Sequence, residues 1–227
     1  MSKLQELKIK IESIPEKRSR KNLVGKLAQY DQMSTQAKGV LTKCIRELHY
    51  VQSVFPSGDF QRVAEQTARA ANVARRLRRR LENISVIETK TSNDQFISIS
   101  EYAKSAQTAL KDRWTQLLTR RIADFENLAK AASSANLEGS RGMVEKLNRL
   151  DDRVGAPPIS EEITQRIVAD LHDLEKSVST LGLEGRPGEF LVAAANEQGN
   201  PQDLLDSEVA AFIEKYNLWG LLTVKLG

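Results

Sequence analysis

Seven arginines stand between residues 62 and 80, five of them in the run Arg75-Arg76-Leu77-Arg78-Arg79-Arg80. A guanidinium carries a permanent charge and a planar fork of donors, so a row of them suits phosphate oxygens. At about 100° per residue, Arg62, Arg69, Arg76 and Arg80 fall within one narrow strip of a helix. Arg75, Arg78 and Arg79 spread around the remainder. The chemistry such a ridge offers is electrostatic capture of phosphates without reading of bases. The plainer alternative is a solvated face that pairs with acidic residues of this chain or of a partner, because charge runs on helices are common. Aromatic residues that would stack on bases are scarce in the stretch, which argues against a single-strand platform.

Little else in the chain has reactive chemistry. There is no Gly-x-Gly-x-x-Gly, no Walker-type loop, no Cys-x-x-Cys and no Gly-x-Ser-x-Gly. Two histidines and one cysteine do not furnish the usual nucleophile–base or zinc sets. Asp170, His172 and Asp173 lie close in sequence, but helix neighbours at i+1 and i+2 do not face each other, so they make a poor ligand set. The glycines of Leu137-Glu138-Gly139-Ser140-Arg141-Gly142 are wrongly spaced for a phosphate-binding loop, which would also need a preceding strand. The expectation is a protein with no catalytic residues, no metal and no cofactor, that is, not an enzyme.

The elements that hold the ridge are helical. Asp59 is a good N-cap after the turn Pro56-Ser57-Gly58. From there Phe60, Val63, Thr67, Ala70, Ala74, Leu77, Leu81 and Ile84 recur at steps of three and four, predicting a helix over 59–88. Before it, a short helix at 3–13 stops at Pro15. A long helix over 17–55 then carries the seam Leu23, Leu27, Tyr30, Met33, Ala37, Leu41, Cys44, Leu48, Val51 and Phe55. Cys44 sits inside that seam as a small core residue. After a polar connection at 88–93, with Asp94 as cap, a third long helix over 94–135 holds Trp114 as an anchor. Arg113, Arg120 and Arg121 lie along it and would extend the ridge if the two helices pack antiparallel.

Downstream, a short helix over 143–152 precedes Gly155-Ala156-Pro157-Pro158. Ser160-Glu161-Glu162-Ile163 then opens a helix, with Ser160 as N-cap and the stripe Ile163, Ile167, Leu171, Leu174, Val178 and Leu181. The segment 182–188 reads as a link. A short helix near 189–196 follows, and Pro201 opens a further one carrying Leu204, Leu205, Val209, Phe212, Ile213 and Tyr216. The apolar tail 218–226 contains the β-prone pair Thr223-Val224. It either packs on its own helices, the preferred reading, or pairs with another chain by strand addition. Phe212, Tyr216, Leu218, Trp219, Leu222 and Val224 are the candidate partner-docking residues.

Charge is placed unevenly. The net +4 conceals 18 Lys/Arg against 7 Asp/Glu in residues 1–80, 10 against 9 in 81–150, and 6 against 14 in 151–227. Forty per cent apolar and 28% charged residues suit a helix-rich soluble protein. A single cysteine suits a reducing compartment. No apolar run approaches the roughly 20 residues of a spanning helix, and the N-terminal stretch is amphipathic and charged, so the expected location is the cytoplasm, away from membranes.

These features predict an all-α protein: an elongated antiparallel bundle or coiled coil of three long helices (1–137), an acidic helical segment (138–182) and a small C-terminal docking module (183–227). The function expected first is a non-enzymatic scaffold or adaptor subunit of a larger complex, with a protein partner or self-association. The alternative is a nucleic-acid-binding accessory protein. Its phosphate contacts would come from Arg62, Arg69, Arg75, Arg76, Arg79, Arg80, Arg120 and Arg121.

Overall fold

In a computed structural model of the chain, residues 3–13, 17–80, 90–196 and 198–221 are described, and every regular element among them is helical. The order is α1 (Lys3–Glu12), α2 (Lys17–Val54), α3 (Gln61–Arg80), α4 (Lys90–Ser134), α5 (Ser140–Asp151), α6 (Glu161–Leu181), α7 (Arg186–Ala195) and α8 (Ser207–Tyr216). Two 3-10 turns, Pro201–Leu205 and Leu218–Leu221, flank α8. None of these helices is long and apolar enough to cross a membrane.

The chain divides into two compact units. The first comprises Met1–Gln52 and Pro56–Arg113, and the second Ser53–Phe55 and Trp114–Gly227. The division falls inside α4, whose first half serves one core and whose second half serves the other.

In the first unit, the three- and four-residue apolar steps of the sequence converge on one core. Leu7 and Ile11 of α1, Leu23, Leu27, Tyr30 and Ala37 of α2, Val73 and Leu77 of α3, and Phe96, Ile99 and Ala103 of α4 pack together. Tyr30 and Phe96 stack with ring centroids 4.3 Å apart, which adds aromatic contact to their area burial. Cys44 is buried, as its place in the seam requires. Glu47 is buried too, three residues on, and pairs with the more exposed Lys43 at 3.6 Å.

In the second unit, Trp114 is fully buried, tilted against Phe55 at 5.8 Å between centroids. α5 packs on α6, and α8 packs on α7 and on both 3-10 turns. The stripe of α6 points inward as its period demands, with Ile167, Leu171, Leu174, Val178 and Leu181 buried and Ile163 half-buried. The Ser160 Oγ accepts the Ile163 N–H, and Gly182 closes the helix in the left-handed region at φ 67°, where a residue without Cβ is unstrained.

Several boundaries differ from those the period predicts. α4 begins at Lys90 and not at Asp94, because Ser92 and Phe96, four residues apart, are both buried and carry the inward face back another turn. α5 begins at Ser140, with the polar Ser140 itself buried. The link after Gly182 is short. Arg186 already starts α7, whose first turn buries Pro187 and Gly188. The helix expected from Pro201 is split, since Asp206 turns out of helical geometry and its carboxylate accepts the Glu208 and Val209 N–H groups to cap α8. The expectations that fall on Pro15, on Leu81 and Ile84, and on the strand-prone Thr223-Val224 lie outside the described residues.

Candidate nucleic-acid interface

The ridge is built on α3, and a local cap sets where it starts. The Asp59 carboxylate accepts the Gln61 N–H at 2.9 Å, satisfying one of the free donors at the first turn. Val63, Ala70, Val73 and Leu77 are buried, and this narrow face holds the helix against the rest of the first unit. The arginines follow by rotation from that face. Arg62, Arg69, Arg75, Arg76, Arg78 and Arg79 are all exposed. Arg80 ends α3, and its side chain lies outside the described residues.

What distinguishes these side chains is that no acidic partner meets them among the described residues. Among the described residues, Arg62, Arg69, Arg75, Arg76, Arg78 and Arg79 form no ion pair. Arg75 donates to the Asn72 side-chain oxygen, at 3.3 Å. Glu65, the one carboxylate within α3, accepts instead from the Gln61 amide at 2.8 Å. Like charges held together on one helix repel, and a nearby counter-charge relieves that repulsion.

The arginines of α4 are used differently. Arg113 belongs to the first unit and donates to the Asp59 carbonyl oxygen at 2.9 Å, tying α4 to the start of α3. Arg120 and Arg121 belong to the second unit. Arg120 is exposed. Arg121 is held by Glu175 of α6 and by Asp124 at 3.5 Å, and lies over the Phe125 ring at 4.8 Å. Its guanidinium is thus engaged in bracing α4 on α6.

Asp170 and Asp173 are also engaged. Arg149 donates to both oxygens of Asp170 (3.1 and 2.5 Å), a bidentate pair that raises the Arg149 pKa above its ordinary value, and Lys146 pairs with Asp173 at 3.4 Å. His172 is largely exposed. The sequence carried a legible signal for this seam. Lys146 and Arg149 are three apart on α5, Asp170 and Asp173 are three apart on α6, and the pairing runs in reverse order, as antiparallel helices require.

The candidate docking residues at the C-terminal end divide by burial. Phe212 and Leu218 are buried, Tyr216 is half-buried and tilts against Phe212 at 5.1 Å, and Trp219 is half-exposed. Leu222 and Val224 lie outside the described residues.

Summed by unit, the charges separate further. The first unit holds 22 Lys/Arg against 12 Asp/Glu, a balance of +10, and the second 12 against 18, a balance of −6. The ridge therefore sits in the unit of matching sign, which strengthens its field on any polyanion.

No family model, curated protein or solved structure matches this chain.

Proposed function

We propose that this chain is a non-enzymatic helical scaffold or adaptor subunit of a larger protein complex. In this reading α2, α3 and the first half of α4 lie antiparallel in succession as one bundle, and the 183–227 segment docks a partner. The Arg113 bond to the start of α3 and the shared core of Leu77 with Phe96 support that order of helices. The observation that carries the reading is that the first unit leaves Ile9, Val24, Ile45 and Ile97 exposed on α1, α2 and α4. Apolar area left on the outside of long single-stripe helices is the surface an adaptor offers. Sedimentation of the purified chain tests it. Self-association, or a stoichiometric complex with a co-purifying protein, is expected; a compact monomer that binds nothing would sink it.

A second reading, compatible with the first, is a nucleic-acid-binding accessory protein that contacts phosphates without base-specific readout. It is favoured by the six exposed α3 guanidinium groups that form no ion pair among the described residues. Counterion release makes such binding steeply salt-dependent. The test is a salt series on labelled nucleic acid, comparing the natural chain with a variant carrying Arg75→Glu, Arg76→Glu, Arg79→Glu and Arg80→Glu. The variant is expected to lose both affinity and salt slope.

A further inference from the structure

We infer that the α3 ridge is matched to the backbone of double-stranded DNA and not to an unpaired strand, an inference that rests on the phosphate reading above. Three features of α3 point the same way.

The first is spacing on a rigid support. Arg62, Arg69 and Arg76 are seven residues apart, so the strip drifts by only about 20° per step. Each step advances about 10.5 Å along the axis. The buried face of Val63, Ala70, Val73 and Leu77 holds that array straight against the first unit. A step of this size is close to the width of the B-form major groove, about 12 Å. A helix lying across the groove thus sets consecutive arginines on its two phosphate rims. An unpaired strand has no fixed second row of phosphates for such an array to meet.

The second is the absence of a stacking surface. Single-strand binders gain about 1–3 kcal/mol per base from aromatic platforms. α3 contains no Phe, Tyr, Trp or His. Phe60, next to it, is buried, and Tyr30 and Phe96 of the same unit are buried against each other. On the other flank the exposed residues are Ala64, Ala68 and Ala71 with Arg75 and Arg78 among them, none of them an aromatic platform.

The third is that the amides of α3 suited to base edges are already occupied. Gln61 donates to Glu65, Asn72 accepts from Arg75, and Gln66 is half-buried. With these amides engaged, the ridge is left with its arginines, and those set on the phosphate rims make contacts that carry no sequence information.

The experiment measures anisotropy of the full chain with a labelled mixed-sequence duplex of about 20 base pairs and with one of its strands alone, from about 50 to 200 mM salt. The duplex is expected to bind at least about tenfold tighter than the strand. Its log K against log salt is expected to flatten by about three when Arg62→Gln, Arg69→Gln and Arg76→Gln are combined, at roughly 0.9 per lost phosphate contact. These side chains are exposed, and circular dichroism of the variant checks that the fold is kept. A strand bound as tightly as the duplex, with both weakened by the triple variant, would overturn the duplex inference and leave the phosphate reading standing. No binding of either at low salt, or binding that the triple variant leaves unchanged, would overturn both.

Discussion

The Trp114 indole N–H donates to the Arg153 carbonyl oxygen at 2.8 Å across 39 residues of sequence. The neighbouring Thr115 hydroxyl donates to the Val154 carbonyl oxygen at 2.9 Å. Together they pin the turn after α5 to the second half of α4. Trp114 fills the interior while its one polar atom finds a partner, as a buried indole must. Replacing it by Phe removes the donor and leaves the carbonyl without its bond, so Trp114→Phe is expected to lower stability by about 1–3 kcal/mol. Thr115→Val should cost about 1 kcal/mol. Urea unfolding followed by circular dichroism reads both, and a Trp114→Phe midpoint equal to the natural chain's would refute the account.

Two glycines should respond in opposite directions to alanine. At Gly188, in the first turn of α7, a Cβ would collide with the Leu183 carbonyl oxygen and come within 2.9 Å of the Leu128 Cδ2. Gly188→Ala is expected to destabilise the second unit by about 1–3 kcal/mol. At Gly25, in α2, an added Cβ meets nothing within 4 Å. Gly25→Ala should stabilise by up to about 1 kcal/mol, through helix propensity and a less free unfolded chain. Thermal melts of the two variants would contradict this if they moved the same way.

Cys44 should be inert in the folded protein. Burial, aided by the nearby Glu47 carboxylate, pushes its thiol up to about 11. Near pH 8 the thiolate, the reactive form, is therefore a minute fraction, and it is enclosed as well. A disulfide reagent such as DTNB should label Cys44 only after denaturant is added. The same shift makes a linkage prediction. The folded pKa lies above the ordinary thiol value of about 8.5, so the folded state holds the proton more tightly than the unfolded one. The contribution to stability is complete below about 8.5 and is lost as pH rises through about 11. Rapid labelling under native conditions would rule out this environment.

Adjacent arginines on α4 should separate stability from exposure. Arg121 meets Glu175, Asp124 and the Phe125 ring, whereas Arg120 is exposed and forms no ion pair among the described residues. Arg121→Gln is expected to cost about 0.5–1 kcal/mol, a modest value because the pair is partly solvated and screened. Arg120→Gln should fall within about 0.5 kcal/mol of the natural chain. Added salt should shrink the difference between the two variants, and a difference that grew with salt would exclude the ion-pair explanation.

Much of this protein was legible in one dimension because helices are local. Apolar residues at steps of three and four located α2, α4 and α6, and the start of α3, to within a few residues. The caps Asp59 and Ser160 act through groups only two or three positions away. The exposure of the α3 arginines follows from the same periodicity, since a helix that buries Val63, Ala70, Val73 and Leu77 has to turn the positions between them outward.

What the tertiary structure decided depends on residues far apart in the chain. Whether an arginine keeps its charge open or gives it to a carboxylate is set by what packs opposite, so Arg121 meets Glu175 across 54 residues while the α3 arginines meet none among the described residues. The division between units falls within the continuous helix α4, where no change of composition marks it, because the two cores differ in what packs against the helix and not in the helix itself. Glu47 is buried although it carries a carboxylate, because of what packs around it. Gly188 looks like part of a link, yet it stands where another backbone leaves no room for a side chain. Periodicity is encoded residue by residue, whereas partners, close approaches and cores exist only once distant segments have met.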